Sequence, residues 1–137
     1  MKFMVAMFVV GLIVSSEAKA DTTDYWHVFY NNKVLVKYPV WPRNPAIIIK
    51  AANVGENDTL SVMYGYDTPY DKCLIGLYLM NGDRKKQNLI TGKGTFTRLK
   101  VPVKKLLRLS KTQHVNTIDI YYFDPHHNTL IFRLAFK

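Results

Sequence analysis

This chain of 137 residues has a single cysteine, Cys73, so a disulfide within the chain cannot form. Secreted domains of this size often depend on disulfides, because their hydrophobic cores are small. Stability must therefore come from apolar packing. Cys73 opens an apolar run that ends at Met80, and a thiol in such a run is expected to pack as a small buried hydrophobic side chain.

Acidic residues are also scarce, with 10 Asp and Glu against 19 Lys and Arg and a net charge of +9. Between Arg84 and Ile118 there is no acidic residue at all. The cations of this basic block are Arg84, Lys85, Lys86, Lys93, Arg98, Lys100, Lys104, Lys105, Arg108 and Lys111. Such a block attracts anionic partners, or it keeps a strand-rich protein soluble and its sheet edges unpaired.

The sequence motifs that carry catalysis are missing: there is no Gly-x-Ser-x-Gly, P-loop, dinucleotide fingerprint, Cys-x-x-Cys or His-Glu-x-x-His. Asp67 and Asp71 bracket a short loop, but aspartate is a common turn residue and this spacing does not set a carboxyl separation. His126 and His127 follow Asp124, yet adjacent side chains on an extended segment point to opposite sides. We therefore expect no catalytic residues, no metal and no cofactor.

The longest apolar run lies at the amino terminus, from Phe3 to Val14, and it follows Lys2 and precedes the small-residue triplet Ala18-Lys19-Ala20. Such a run forms about 18 Å of helix, at roughly 1.5 Å per residue, which is short of the bilayer core of about 30 Å. The pattern predicts a signal peptide over residues 1–20 and a single domain over residues 21–137. The mature protein is then periplasmic or secreted, and it is not an integral membrane protein.

The first strands are predicted at Trp26 to Tyr30 and Lys33 to Tyr38, on either side of Asn31-Asn32. Asparagine tolerates the positive φ that a two-residue hairpin turn requires, so these strands are expected to form a hairpin. The alternation predicts which residues of the second strand share its buried face, namely Val34, Val36 and Tyr38.

Further strands follow from apolar alternation and from turn residues between the runs. They are predicted at Ala46 to Lys50, Leu60 to Tyr66, Cys73 to Met80, Thr95 to Val101, Thr117 to Phe123 and Thr129 to Lys137. The last two are expected to form a second hairpin across the turn Asp124 to Asn128. Alternation places Ile118, Ile120 and Tyr122 on one side of the first of these strands, and Leu130, Phe132, Leu134 and Phe136 on one side of the second. The polar span Lys85 to Gly94 predicts a mobile connection with room for a short strand at Gln87 to Thr91. A short helix is predicted near residues 103–110, where Val103, Leu106 and Leu107 share one face.

Seven or eight strands with one short helix favour an all-β fold, an antiparallel β-sandwich of immunoglobulin-like or jelly-roll-like type. A small closed barrel is the alternative, because both architectures use alternating strands. No motif is specific enough to assign the chain to a family.

Two aromatic residues are the best candidates for exposed ligand contacts: Trp41 in the proline-rich segment Pro39 to Pro45, and Tyr70 beside Pro69. Tryptophan and tyrosine stack on sugar rings and offer a polar edge. The leading hypothesis is therefore a non-catalytic binding or structural protein whose loops contact a glycan or an envelope protein. Strand addition along an exposed sheet edge is a second route to a protein partner.

The alternative hypothesis is electrostatic binding of an anionic surface by the basic block, with Lys104, Lys105 and Arg108 as the candidate contacts. The surface would be a membrane, an acidic polysaccharide or nucleic acid. Specific nucleic-acid binding is disfavoured, because the export signal removes the protein from the cytosol.

Overall fold

A computed structural model describes residues 25–39, 44–65 and 71–137 of the chain. The predicted signal peptide lies outside these residues, which form nine strands, one 3₁₀-helix (Ala51–Asn53) and one α-helix, α1 (Val103–Thr112). The strands are β1 (Tyr25–Tyr30), β2 (Lys33–Pro39), β3 (Ala46–Ile49), β4 (Thr59–Gly65), β5 (Leu74–Met80), β6 (Lys86–Lys93), β7 (Leu99–Pro102), β8 (Thr117–Phe123) and β9 (Asn128–Phe136).

The strands pair into two sheets that enclose one hydrophobic core. Sheet A has the order β2-β1-β4-β7, and sheet B has the order β3-β9-β8-β5-β6. The expectation of a mostly β protein with two sheets and one helix is confirmed. Both predicted hairpins, β1-β2 and β8-β9, form antiparallel pairs, because each joins strands that are adjacent in the sequence across a short turn.

Strand β3 differs from the antiparallel arrangement of the predicted sandwich. It is the terminal strand of sheet B and runs parallel to β9, with Ile47 opposite Leu134. Ile47 and Ile49 are buried, whereas Ile48 is 55% exposed. Three consecutive isoleucines do not reveal that only one side of the strand is covered, because that depends on which element packs against it.

The polar span after β5 also differs from the prediction. The short strand predicted at Gln87 to Thr91 forms, but it extends over Lys86–Lys93 as β6 and pairs with β5 along its length, so the prediction of a mobile connection is wrong. Strand β7 is shorter than predicted and begins at Leu99. Strand β6 has few apolar residues, but its backbone pairing with the apolar strand β5 stabilises it. The tertiary context therefore overrides the local composition.

A bulge in the first hairpin changes which side chains face the core. Phe29 pairs with Val34, and Val28 pairs with Val36, so that Leu35 is the extra residue. Val36 and Tyr38 are turned inward as predicted, but Val34 lies opposite Phe29 and is 56% exposed. The prediction that Val34 shares their face is therefore wrong.

Buried aromatic side chains join the two sheets. Trp26 of β1 stacks on Tyr64 of β4 at 4.5 Å between ring centroids, and it meets the edge of Tyr122 of β8 at 4.7 Å. The Tyr38 hydroxyl on β2 donates a hydrogen bond across the core to the Ile131 carbonyl on β9, at 2.6 Å. Burial raises the pKa of the Tyr38 hydroxyl, which keeps it a donor.

Helix α1 begins directly after β7, and its Val103 amide donates to the Asp58 carbonyl at 2.9 Å. Val103, Leu106 and Ser110 are buried against the sandwich, as the helical spacing of its apolar residues predicts.

In the part of the chain that the structure describes, no helix has the length and hydrophobicity that crossing a membrane requires. Cys73 lies just before β5 and is half-buried.

Candidate binding surfaces

The three cations predicted to bind an anionic surface all lie on α1, but two of them have partners within the chain. Lys104 forms an ion pair with Glu56, and the Lys105 amine donates to the Leu89 carbonyl on β6 at 3.2 Å. Arg108 is exposed on the same helix. Lys104 and Lys105 therefore help to hold α1 against the sandwich, and the Glu56 carboxylate offsets the charge of Lys104.

The basic block does not form one surface. Lys86 lies over the rings of Tyr78 and Phe123 on the outer face of sheet B, at 4.2 Å from each centroid. Arg98 lies over the ring of Phe29 on the outer face of sheet A, at 3.8 Å. A segment that is continuous in the sequence is thus divided between two opposite faces and the helix.

The aromatic candidates Trp41 and Tyr70 lie outside the described residues, and so does Asp67 of the acidic pair. Asp71 is exposed.

At the tip of the β8-β9 hairpin, the Asp124 carboxylate accepts hydrogen bonds from the backbone amides of His126 and His127, and it lies 2.9 Å from the His127 Nδ1.

This arrangement is a hairpin turn closed by an aspartate side chain. Burial of the Tyr122 hydroxyl, with the Asp124 carboxylate beside it, raises the pKa of that phenol. Among residues 25–39, 44–65 and 71–137, no three His, Cys, Asp or Glu side chains are grouped so that they could hold a metal ion.

One lateral side of the sandwich is open among the residues that the structure describes. Strands β2 and β3 end their respective sheets on this side, and a groove of about 450 Å³ runs between them. The residues that define this edge groove include Tyr30, Leu35, Val36, Ile47, Ile49 and Lys50. Leu35 and Ile48 are 47% and 55% exposed, so apolar side chains face solvent along the groove.

The opposite lateral side, where β6 and β7 end the sheets, is covered. Strand β6 carries Gly92, and a Cβ atom placed there would lie 3.0 Å from the Leu99 side chain of β7. The Lys105 hydrogen bond to Leu89 closes α1 over the same side. In the described part of the chain, α1 is the element that covers the side of β6 and β7.

The outer face of sheet A carries a row of half-buried or buried rings from β1. Tyr25 and His27 have centroids 4.8 Å apart, and His27 and Phe29 have centroids 5.8 Å apart. The Lys37 amine lies 4.7 Å from the Tyr25 centroid, and Arg98 covers Phe29. We call the surface formed by Tyr25, His27, Phe29, Lys37, Arg98 and Lys100 the cationic face.

The cations of this face change the titration of its histidine. The pKa of His27 lies below its ordinary value, first because the ring is partly desolvated and then because Lys37 and Arg98 oppose a third positive charge. Lys37 and Arg98 are distant in the sequence, but both lie close enough to His27 to lower its pKa.

A third cluster surrounds Asp58, before β4. Its carboxylate accepts hydrogen bonds from the Tyr30 hydroxyl at 2.5 Å, the Asn31 amide group at 3.0 Å and the Gly55 backbone amide at 2.7 Å. These donors lower the pKa of Asp58. Burial and the bond to Asp58 raise the pKa of Tyr30 to about 12. The cluster ties the β1-β2 turn to the start of β4, so its role is structural.

Stability is expected to fall in acid partly through Asp58. Because its folded-state pKa is lowered, the stabilisation is present above the unfolded pKa of about 4 and is lost as the pH falls through the folded value. Urea unfolding followed by circular dichroism from pH 7 to about pH 2 measures this loss. The Asp58→Asn variant should be less stable at pH 7 and show a weaker acid dependence, with Tyr30→Phe in between. An unchanged acid dependence in Asp58→Asn would contradict the assignment.

Comparison of this chain with protein-family models and with curated proteins found no match. The function must therefore be argued from its own surfaces.

The sequence alone does not predict the cationic face or the edge groove. One signal was available, because Tyr25, His27 and Phe29 alternate along a predicted strand and must share a face. The positions of Lys37 and Arg98 beside them had no local signal. Lys37 reaches this face through the bulge at Leu35, and Arg98 reaches it through the pairing of β4 with β7.

Proposed function

We propose that this protein is a small exported binding protein without catalytic activity, and that it captures an extended segment of a partner protein along the edge groove. The observation that supports the proposal is the apolar groove that the described residues leave open between β2 and β3, the terminal strands of the two sheets as described. Since export is expected from residues 1–20, the partner is proposed to be an envelope or secreted protein.

Strand β3 is the proposed template for the partner. Within residues 25–39, 44–65 and 71–137 it is a terminal strand that pairs with β9 alone, so its backbone N–H and C=O groups on the other side are proposed to accept an added strand. β3 has no proline and no charged residue, whereas β2 carries two lysines, a bulge and Pro39. Lysine, bulges and proline protect a sheet edge against pairing, so β3 is the more receptive of the two strands.

The groove determines the chemistry of the proposed segment. Side chains alternate along a strand, so every second side chain of an added segment would enter the groove beside Leu35, Val36 and Ile49. Branched apolar residues suit these positions, because the lining is apolar and the space is about 450 Å³. Lys50 is the charged residue among the described lining, which favours an acidic residue at that end of the segment.

A synthetic peptide of about nine residues, the length of a long strand, tests the proposal. In this peptide valine and threonine alternate, so that the valines can face the groove. A glutamate stands at the end that would lie beside Lys50. Binding is measured by isothermal titration calorimetry, and hydrogen exchange is expected to show added protection of backbone amides in Ala46–Ile49. A scrambled peptide without alternation should bind more weakly.

Two leucine variants locate the binding. Leu35→Lys places a charge in the groove and should reduce affinity by about tenfold or more, because burial of a leucine side chain contributes about 2 kcal/mol. Leu74→Lys is the matched control, since Leu74 is 54% exposed on a strand and is not part of the groove lining. Equal losses in both variants, or protection confined to other strands, would overturn the proposal.

A further inference from the structure

The cationic face differs in charge from the rest of the sandwich. None of its four strands, β1, β2, β4 and β7, contains an aspartate or glutamate. The outer face of sheet B, in contrast, carries Asp119, which pairs with Arg133 at 3.1 Å. An anion that approaches the outer face of sheet A therefore meets positive side chains that have no carboxylate neighbour on those strands.

Two of the cations are held in place by rings. Contact of Lys37 with Tyr25 and of Arg98 with Phe29 restricts both side chains above the sheet. Less conformational entropy is lost when such a cation binds an anion, because part of its freedom is already lost in the unbound protein. Lys100 adds a third cation, since it is exposed on β7 while Leu99 and Val101 point inward.

The cations also span the width of the sheet. Lys37 lies on β2 and Lys100 on β7, which are the terminal strands of sheet A. Three strand spacings of about 4.8 Å place these strands roughly 14 Å apart. A flat face with positive charge near both margins suits an extended polymer that crosses the strands better than it suits a single small ion.

We propose that the cationic face binds a linear acidic polysaccharide, whose carboxylate or sulfate groups pair with Lys37, Arg98 and Lys100. This site is separate from the edge groove, and it does not depend on the proposed capture of a peptide segment. The basic block predicts binding of anions, and the cationic face is proposed to bind them as well. Of the block, the face contains only Arg98 and Lys100, and Lys37 comes from outside the block.

The burial of the rings distinguishes this ligand from the other polyanions. Phe29 is 4% exposed and is covered by Arg98, so its face is not available for stacking with the bases of a single-stranded nucleic acid. Proteins that lie on bilayers insert apolar or aromatic side chains beyond the charged layer. On the cationic face the rings lie beneath the cations, which suits a ligand that remains at the charged surface.

Binding is tested with heparin as the probe, by titration calorimetry at several salt concentrations. Affinity should fall steeply with salt, because pairing releases counterions. The double variant Lys37→Gln with Arg98→Gln should bind about tenfold more weakly at low salt, since each surface ion pair contributes a factor of a few. If circular dichroism shows that it does not fold, the exposed Lys100→Gln variant replaces it, with a loss of about threefold expected.

Lys86→Gln is the matched control, because Lys86 also lies over two rings but on the opposite sheet. It should bind heparin as the unmodified protein does, and so should Arg108→Gln on α1. An independent readout is the His27 ring signal in NMR, which should shift on binding, with a rise in the His27 pKa because the bound anions offset Lys37 and Arg98.

Three outcomes would overturn the proposal. The first is an equal loss of affinity in the double variant Lys37→Gln with Arg98→Gln and in the double variant Lys86→Gln with Arg108→Gln, because both remove two positive charges and an equal loss would show that only net charge matters. The second is an unchanged His27 signal at saturating heparin. The third is binding to vesicles of phosphatidylglycerol and phosphatidylcholine that is as tight as binding to heparin, which would assign the face to a lipid surface.

Discussion

Replacing Trp26 by alanine is expected to lower the free energy of unfolding by about 4 kcal/mol. The side chain is 2% exposed and contacts a ring from each sheet, Tyr64 of sheet A and Tyr122 of sheet B. Its removal leaves a cavity between the sheets that neither neighbour can fill without leaving its own contacts. Since folded domains have about 5 to 15 kcal/mol of stability, this one substitution removes a large share of it.

Urea unfolding measures this loss directly, with Phe96→Ala as the control. Phe96 is also aromatic but is 44% exposed, and its backbone amide, which donates to the Tyr64 carbonyl, is retained in the variant. The control should lose less than about 1 kcal/mol. Similar losses in both variants would show that the ring of Trp26 is not a principal contact between the sheets.

Replacing Gly76 by alanine is expected to destabilise the protein by about 2 kcal/mol, although only one methyl group is added. A Cβ atom at this position would lie 2.4 Å from the Phe123 ring and 2.8 Å from the Ile90 carbonyl oxygen. The ring can move, but the carbonyl belongs to the neighbouring strand β6, which cannot shift without weakening its pairing with β5. The glycine therefore provides space for Phe123 to lie across the sheet.

Gly82→Ala is the matched control, because no atom lies within 4 Å of a Cβ at that turn position. It should be neutral or slightly stabilising, since alanine reduces the conformational freedom of the unfolded chain. Thermal unfolding compares the variants. Adding Phe123→Ala to Gly76→Ala should recover part of the loss if the ring is the principal obstacle. A Gly76→Ala protein as stable as Gly82→Ala would contradict the packing described here.

The hairpins and the helix were predictable because their signals are local. Asn31 adopts a φ of 54° in the β1-β2 turn, which is the property that identified the turn in the sequence. The alternation of Ile118, Ile120 and Tyr122 correctly placed their side chains in the core. The apolar spacing after Pro102 likewise predicted α1. In each case the residues that carry the signal are within a few positions of one another.

Bulges limited the same reasoning within those strands. In β9, alternation placed Leu130 on the core face, but a bulge opposite Ile120 and Tyr121 turns Ile131 inward, where it is 1% exposed. In β2, the bulge at Leu35 places Lys37 opposite His27. Without it, the turn register would place Lys37 opposite Trp26, in the core. An extra residue in a strand shifts every later side chain to the other face.

The residues proposed to bind ligands were the hardest to predict. The closeness of Lys104, Lys105 and Arg108 in the sequence predicts a shared binding surface. In the structure, however, Lys104 pairs with Glu56 and Lys105 donates to the β6 backbone. Lys37 and Arg98 are far apart in the sequence, yet both flank His27. Charge density along a chain does not predict charge density on a surface, because strands from distant segments alternate in the sheet.

From composition and periodicity alone, this chain could be assigned as a disulfide-free, strand-rich domain with two hairpins and a short helix, because those properties depend on neighbouring residues. The parallel placement of β3 beside β9, the open side of the sandwich and the cations around His27 depend on pairing between segments that are distant in the chain. Many such pairings are compatible with the same local pattern, and the choice among them is made by packing the whole core at once.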